Sequence, residues 1–210
     1  MCVRLSVCLF AGAVLVAGCA GSHKSGAPAT TSTPSVVSST PSAPTSTHAS
    51  PSALQAEANS AATGDIPDNQ VFIGFHDAAA AYSMKYPEGW AQQGTGARVT
   101  FRDKNNIVRV VVMPGVRPTT ASVRADLRRL AGAHVQSGPR LLTINGARVF
   151  KAVYTTASAP NAVTGKRVTL LVDRYYLSRA GKEAIVDLGT PVGVDNVDAY
   201  RLMIESFRWR

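Results

Sequence analysis

Tyr82-Ser83-Met84-Lys85-Tyr86-Pro87-Glu88-Gly89-Trp90 is where the chain takes on the texture of a folded domain. Alternating bulky residues over 81–86 predict a short strand, and Pro87-Glu88-Gly89-Trp90 predicts the turn that ends it. Working back, Val71-Phe72-Ile73-Gly74-Phe75 reads as a second short strand. Working forward, 97–102 and 107–113 read as two more, parted by the polar Asp103-Lys104-Asn105-Asn106. Val108, Val110 and Val112 alternate onto one face, and Pro114 and Pro118 end the run.

The period then changes. Val123, Leu127, Leu130 and His134 fall on one helical face, so an amphipathic helix is predicted over 120–136, capped by Thr119 or Thr120. Runs at 140–144 and 148–156 flank Asn145-Gly146. That dipeptide tolerates positive φ at both positions and marks a hairpin. A strand over 167–178, a turn at Ala180-Gly181-Lys182 and a partner over 183–188 follow. A closing helix is predicted from Asp195, with Asp198 in its first turn and Val197, Tyr200, Ile204 and Phe207 as its buried stripe. About seven mostly antiparallel strands and two helices make an α+β domain.

Two segments now resemble one family. Tyr82 to Trp90 resembles the opening signature of PsbP-like proteins, and Tyr200-Arg201-Leu202-Met203-Ile204-Glu205-Ser206-Phe207-Arg208 resembles their closing helix. The resemblance covers about residues 80–210. It implies a Mog1/PsbP-type fold, a central antiparallel sheet with helices on both faces, in a family that is mainly non-enzymatic and includes lipoproteins of actinobacterial type. Fold does not fix function. Tyr82, Met84, Trp90, Phe207 and Trp209 read as core residues, not ligand contacts.

The start of the chain carries an address. Met1-Cys2-Val3-Arg4 precedes an apolar run that ends in Val16-Ala17-Gly18-Cys19. A basic start, a short greasy core and small residues before a cysteine describe an export signal. The ending resembles the lipobox of bacterial lipoproteins, which implies cleavage before Cys19 and acylation of its thiol. Residues 1–18 are thus expected to be a lipoprotein signal peptide. Of the three cysteines, Cys2 and Cys8 leave with it. An acylated Cys19 leaves no thiol for a disulfide, a metal or a nucleophile. Residues 19–68 are rich in Ser, Thr, Pro and Ala, and read as a disordered linker that would reach about 35–40 Å if flexible. Residues 69–210 form the globular domain.

The chain is basic, with 22 Lys and Arg against 13 Asp and Glu. Export argues against nucleic acid, so an envelope protein or a lipid is the expected partner, with the membrane reached through Cys19. The expected place is the extracytoplasmic face of the cell membrane, or the outer membrane in a diderm, because Ala20 is not an inner-membrane retention residue.

The sequence supports no catalytic residues, no metal site and no cofactor. There is no Gly-x-Ser-x-Gly elbow and no His or Cys spacing of metal type. His134 falls on the predicted apolar helix face. His76 and Asp77 are adjacent in a strand and point to opposite faces. Asp173 and Asp187 lie on neighbouring strands and could approach, although paired or solvated charges are the commoner outcome. Two readings remain. One is a non-catalytic accessory module for an envelope partner. The other is a carrier or sensor of an amphipathic envelope molecule held between helix and sheet, with Arg109 or Arg174 guarding an anionic headgroup.

Overall fold

The computed structural model describes residues 64–161 and 165–210. The signal peptide, Cys19 and the linker up to residue 63 lie outside the described residues. The elements run β1 (Phe72–Asp77), β2 (Tyr82–Pro87), β3 (Ala91–Thr95), β4 (Arg98–Asp103), β5 (Asn106–Pro114), α1 (Thr120–Arg129), β6 (His134–Ile144), β7 (Ala147–Ala157), β8 (Thr169–Arg179), β9 (Lys182–Pro191), α2 (Val197–Ser206) and β10 (Arg208–Trp209). Seven strands form an open sheet in the order β3-β4-β5-β9-β8-β7-β6, and β1-β2-β10 form a second, smaller sheet. Every pairing is antiparallel.

Strand alternation divides the core in two. Val108, Val110, Val186 and Leu188 join Tyr82 and Met84 of the small sheet and Tyr200, Met203 and Ile204 of α2 in the larger cluster. Tyr154, Val172, Tyr176 and Ile185 join Val123 and Leu127 of α1 in the smaller one. Tyr175 and Tyr176, neighbours in β8, belong to different clusters. The cover is thinner than the helical layers expected. Each cluster receives a single helix of 10 residues, and the small sheet closes much of the larger one.

The two quoted motifs meet in space. The Tyr82 ring stacks on Phe207 with centroids 5.6 Å apart, and the Lys85 amide donates to Ser206 Oγ at 2.8 Å. Arg208 and Trp209 pair with Ser83 and Tyr82 as β10, a strand missing from the sequence reading. Tyr82, Met84, Trp90 and Phe207 are buried and Trp209 packs against them, as read from the sequence. The hairpin turn joins this corner too. Asn145 and Gly146 both take positive φ, and Asn145 Nδ2 donates to the Glu205 carbonyl at 2.8 Å.

Several boundaries differ from expectation. Helix α1 ends at Arg129, not 136. Its Thr119 cap exchanges side-chain bonds with Ser122, Leu130 leaves helical geometry, and Gly132 turns at φ +69°. His134 therefore starts β6, where it is exposed. β6 continues through Gly138-Pro139 by shifting register. Strand β3 was missed because none of its five residues is buried, so it carries no hydrophobic period. In α2, Asn196 and not Asp195 occupies the N-cap position, Val197 is 68% exposed, and Met203 takes its place in the buried stripe.

Residues 64–68, ahead of the expected start at 69, pack on the domain. Ile66 is buried, and its amide donates to Asn196 Oδ1 at 2.8 Å. Asn196 Nδ2 donates to the Gly64 carbonyl, Thr190 Oγ1 and Asn106 Oδ1. Truncating this side chain strands several buried polar groups, each costing about 1–3 kcal/mol. Asn196→Ala should therefore lose about 2–4 kcal/mol in urea unfolding and expose residues 64–68 to protease. A loss under about 0.5 kcal/mol would refute this role.

Candidate functional site

Three charged residues sit side by side across the middle of the large sheet. Arg109 of β5 is in register with Asp187 of β9, and Asp187 with Arg174 of β8. All three project to the α1 side. Asp187 is 3% exposed and Arg174 is 5% exposed, inside otherwise apolar strands. A carboxylate at that depth is costly unless it is paired and hydrogen-bonded. Asp187 Oδ2 accepts from Arg109 Nε at 3.0 Å and from Arg174 Nη1 at 3.0 Å. Its Oδ1 accepts from Arg174 Nη1 at 3.0 Å as well.

Helix α1 completes the network from above. Asp126 Oδ2 lies 3.2 Å from Arg174 Nη2 and accepts the Tyr176 hydroxyl at 2.7 Å. The Arg174 guanidinium also lies over the Tyr176 ring, 5.5 Å from its centroid. Burial disfavours the Arg174 charge, but Asp187, Tyr176 and Asp126 outweigh it and hold the guanidinium protonated. Burial likewise pushes the Tyr154 and Tyr176 phenols up, with Asp187 adding to Tyr154 and Asp126 to Tyr176. These phenols are hydrogen-bonding groups at neutral pH, not proton carriers.

Beside this network lies a cleft of about 420 Å³. Leu130, Ala131 and Ala133, just beyond the end of α1, form one wall, so the early stop of the helix creates the site. Tyr154, Leu170 and Val172 add apolar surface from the sheet, and residues 156–161 form a rim. Arg102, Lys104 and Arg109 line it against one carboxylate, Asp187, which already neutralises Arg174. Arg109 is 45% exposed although two of its nitrogens are bound to Asp187. Arg102 Nε is buried and has no hydrogen-bond partner among the described residues. A larger hollow of about 850 Å³ lies between residues 65–72 and the start of α2. It is lined by Asp65, Asp68, Asp195 and Asp198. Among the described residues no group of three or more His, Cys, Asp or Glu is placed to hold a metal.

The structure sorts the residues singled out in the sequence. Asp173 and Asp187 point to opposite faces, and Asp173 pairs with Lys151 at 2.6 Å instead. Arg109 reaches the cleft, whereas Arg174 is buried beneath it and held by two carboxylates. His76 is exposed, and Asp77 Oδ1 accepts the Ala80 amide. Arg102, Asp126 and Tyr176 were missed. A usable signal was the matching parity of charges in Val172-Asp173-Arg174-Tyr175 and Val186-Asp187-Leu188, strands too apolar to leave a charge unpaired.

No protein-family model and no curated protein matches the chain. Solved structures do. The solution structure of cyanobacterial PsbP (CyanoP) from Synechocystis sp. PCC 6803 matches with a TM-score of 0.51 and 14% identity. The match covers 70% of this chain and 98% of that one. The Saccharomyces cerevisiae Ran-binding protein Mog1p matches with a TM-score of 0.44 and 10% identity over 67% of this chain and 96% of that one. The chain has a PsbP-like fold, and at these identities the likeness bears on fold alone.

Removing the central carboxylate should be severe. Asp187→Asn leaves Arg174 buried with half its neutralisation, and a loss of about 3–5 kcal/mol is expected in chemical denaturation. Replacing Asp187 and Arg174 together by Leu and Met should recover most of that loss. Failure of the pair to recover would show that the charges contribute more than mutual neutralisation.

Alkaline pH provides a second check. Burial is the first cause holding the phenols of Tyr82, Tyr154, Tyr175, Tyr176 and Tyr200 above the ordinary tyrosine range. The folded state therefore keeps protons that the unfolded chain releases from about pH 10 upward. Stability is full below that pH and falls as it rises, by up to about 1.4 kcal/mol per pH unit for each phenol. Tyrosinate absorbance should appear together with loss of near-ultraviolet circular dichroism. Ordinary reversible titration of these phenols in the folded protein would contradict it.

Proposed function

We propose that the chain is a lipid-anchored, extracytoplasmic binding module without catalytic activity, an accessory domain for a cell-envelope partner. Cys19 carries the acyl chains and the Ser/Thr/Pro-rich segment is the tether. Two acyl chains suffice for stable anchoring, each buried methylene contributing about 0.8 kcal/mol. The tether raises the effective concentration of the domain at any partner within its reach.

One observation carries the reading. The one carboxylate that lines the cleft, Asp187, is committed to Arg174 and Arg109, while the cleft itself presents cations to solvent. An acid–base catalyst needs a group free to exchange a proton with its substrate. Asp187, clasped by Arg109 and Arg174, is a poor one and a good positioning group. The PsbP-like fold is compatible with this role.

A carrier or sensor of an amphipathic envelope molecule is the second reading, favoured by the pairing of an apolar wall with a cationic one in the same cleft. The filled sheet beneath it, with Tyr154 and Val172 each 4% exposed or less, restricts such a ligand to its headgroup and nearest carbons.

Expression in the native host tests the primary reading. Wild-type chain should incorporate labelled palmitate and sediment with membranes, and Cys19→Ser should lose both. A photo-crosslinker at Ala159, on the cleft rim, should give a discrete adduct in the tethered protein and several-fold less in Cys19→Ser. Membrane retention and labelling of Cys19→Ser would overturn the anchor, and diffuse crosslinking independent of the tether would overturn the docking role.

A further inference from the structure

Arg102 poses a question the fold does not answer. A buried N–H without an acceptor costs about 1–3 kcal/mol, and such groups are rare in folded proteins unless water or a bound ion meets them. Arg174 also has a buried, unpartnered Nε, but two carboxylates hold the rest of its guanidinium. Nothing comparable meets Arg102. It lines the cleft without an ion pair among the described residues.

Its place on the sheet supplies a partner. Arg102 is in register with Ile107, and Thr100 with Arg109, so Arg102 and Arg109 are diagonal neighbours on one face. Diagonal positions are about 7–8 Å apart, within reach of long side chains. Two guanidiniums at that spacing can share one oxyanion, each offering paired N–H donors. Asp187 takes Nε and Nη2 of Arg109 and fixes the direction of its head without cancelling the site's charge, since the same carboxylate also serves Arg174. Leu130, Ala133 and Leu170 also line the cleft, and apolar surface beside a charge pair lowers the local dielectric and strengthens it.

We propose that this cleft binds an oxyanion, a phosphate or carboxylate group, with Arg102 and Arg109 as its direct ligands, Asp187 as the positioning residue and the apolar wall taking a short non-polar group attached to the anion. The proposal rests on the binding-module reading and names the ligand class of its cleft.

Calorimetric titration of the full chain in a non-ionic, phosphate-free detergent tests it with three probes: inorganic phosphate, hexyl phosphate and hexyl glucoside. Hexyl phosphate should bind saturably, and hexyl glucoside at least tenfold more weakly. Arg102→Gln should weaken hexyl phosphate at least tenfold without lowering the unfolding midpoint, because the Arg102 side chain has no hydrogen-bond or ion-pair partner among the described residues. Arg102→Lys should keep part of the affinity. Equal affinity for inorganic and hexyl phosphate would identify a free anion as the ligand, and a strong preference for hexyl phosphate an anionic amphiphile. Equal binding of the glucoside, or indifference to Arg102→Gln, overturns the proposal. Absence of binding with tether-dependent crosslinking intact overturns the oxyanion and spares the binding module. Loss of both removes the two together.

Discussion

A carboxylate buried in the middle of β9 has to be neutralised, and the arrangement of one whole face of the large sheet follows from that demand. Asp187 can meet Arg109 and Arg174 only if β5, β9 and β8 pair in the observed register. A slip of one residue would turn it into the opposite cluster, among Val108, Val110 and Tyr175, away from Arg109 and Arg174. Arg174 in turn needs more than half of one shared carboxylate, and Asp126 supplies it from α1. The same charge that fixes strand register therefore also fixes where the helix lies. A well-packed apolar set could be as stable as such a network. What the ions exclude is the alternatives, which for long strands of Val, Leu and Ile are numerous.

The opposite face reaches its arrangement by shape. Tyr82 stacks on Phe207, the Tyr86 ring on Phe101 at 3.9 Å, and Phe75 meets Phe101 edge-on at 5.4 Å. The Tyr200 hydroxyl donates to the Gly189 carbonyl at 2.6 Å, at a strand position where a side chain would strike Ile107 Cγ2 at 2.8 Å. Gly189 thus brings neighbouring strands and α2 together at one point. The two sequence motifs are distant in the chain and adjacent in the fold. Their residue types answer to this corner: aromatic rings to stack, Ser206 to accept the Lys85 amide, and a turn at Pro87-Glu88-Gly89 to redirect the chain.

That division explains what could be read in advance. Period and turn chemistry are local, so the Asn145-Gly146 hairpin, the alternation of β5 and the long β8–β9 pair were legible. Elements specified by tertiary context were not. β3 is exposed throughout and is held by pairing with β4 alone, and β10 is two residues that exist because Tyr82 and Ser83 offer an edge. The apolar spacing of Leu130 and His134 suggested more helix than forms, because a helical period carries no information about where Gly132 turns the chain. At the site, Arg109, Arg174 and Asp187 were each visible as candidates, but their partnership depends on strand order. β9 lies between β5 and β8, although β5 is far from both in sequence.

The cleft arises where these two kinds of specification stop overlapping. On the aromatic side, cover from α2 and the small sheet is extensive, and Phe101, Val108 and Val110 are wholly enclosed. On the ionic side α1 is short, and the strands past its end retain Arg102, Ile107 and Arg109 in partial exposure. A sheet face left open must be soluble, so charged residues there would be expected for that reason alone. Solubility, however, is served by side chains that extend freely into water, and Arg102 is only partly exposed. Its Nε lies buried against the sheet, and its neighbour Arg109 is turned and held by Asp187. Two neighbouring cations beside an apolar wall, one of them already held in place by Asp187, suit recognition of an anion better than they suit hydration, because part of the ordering cost is met before anything binds.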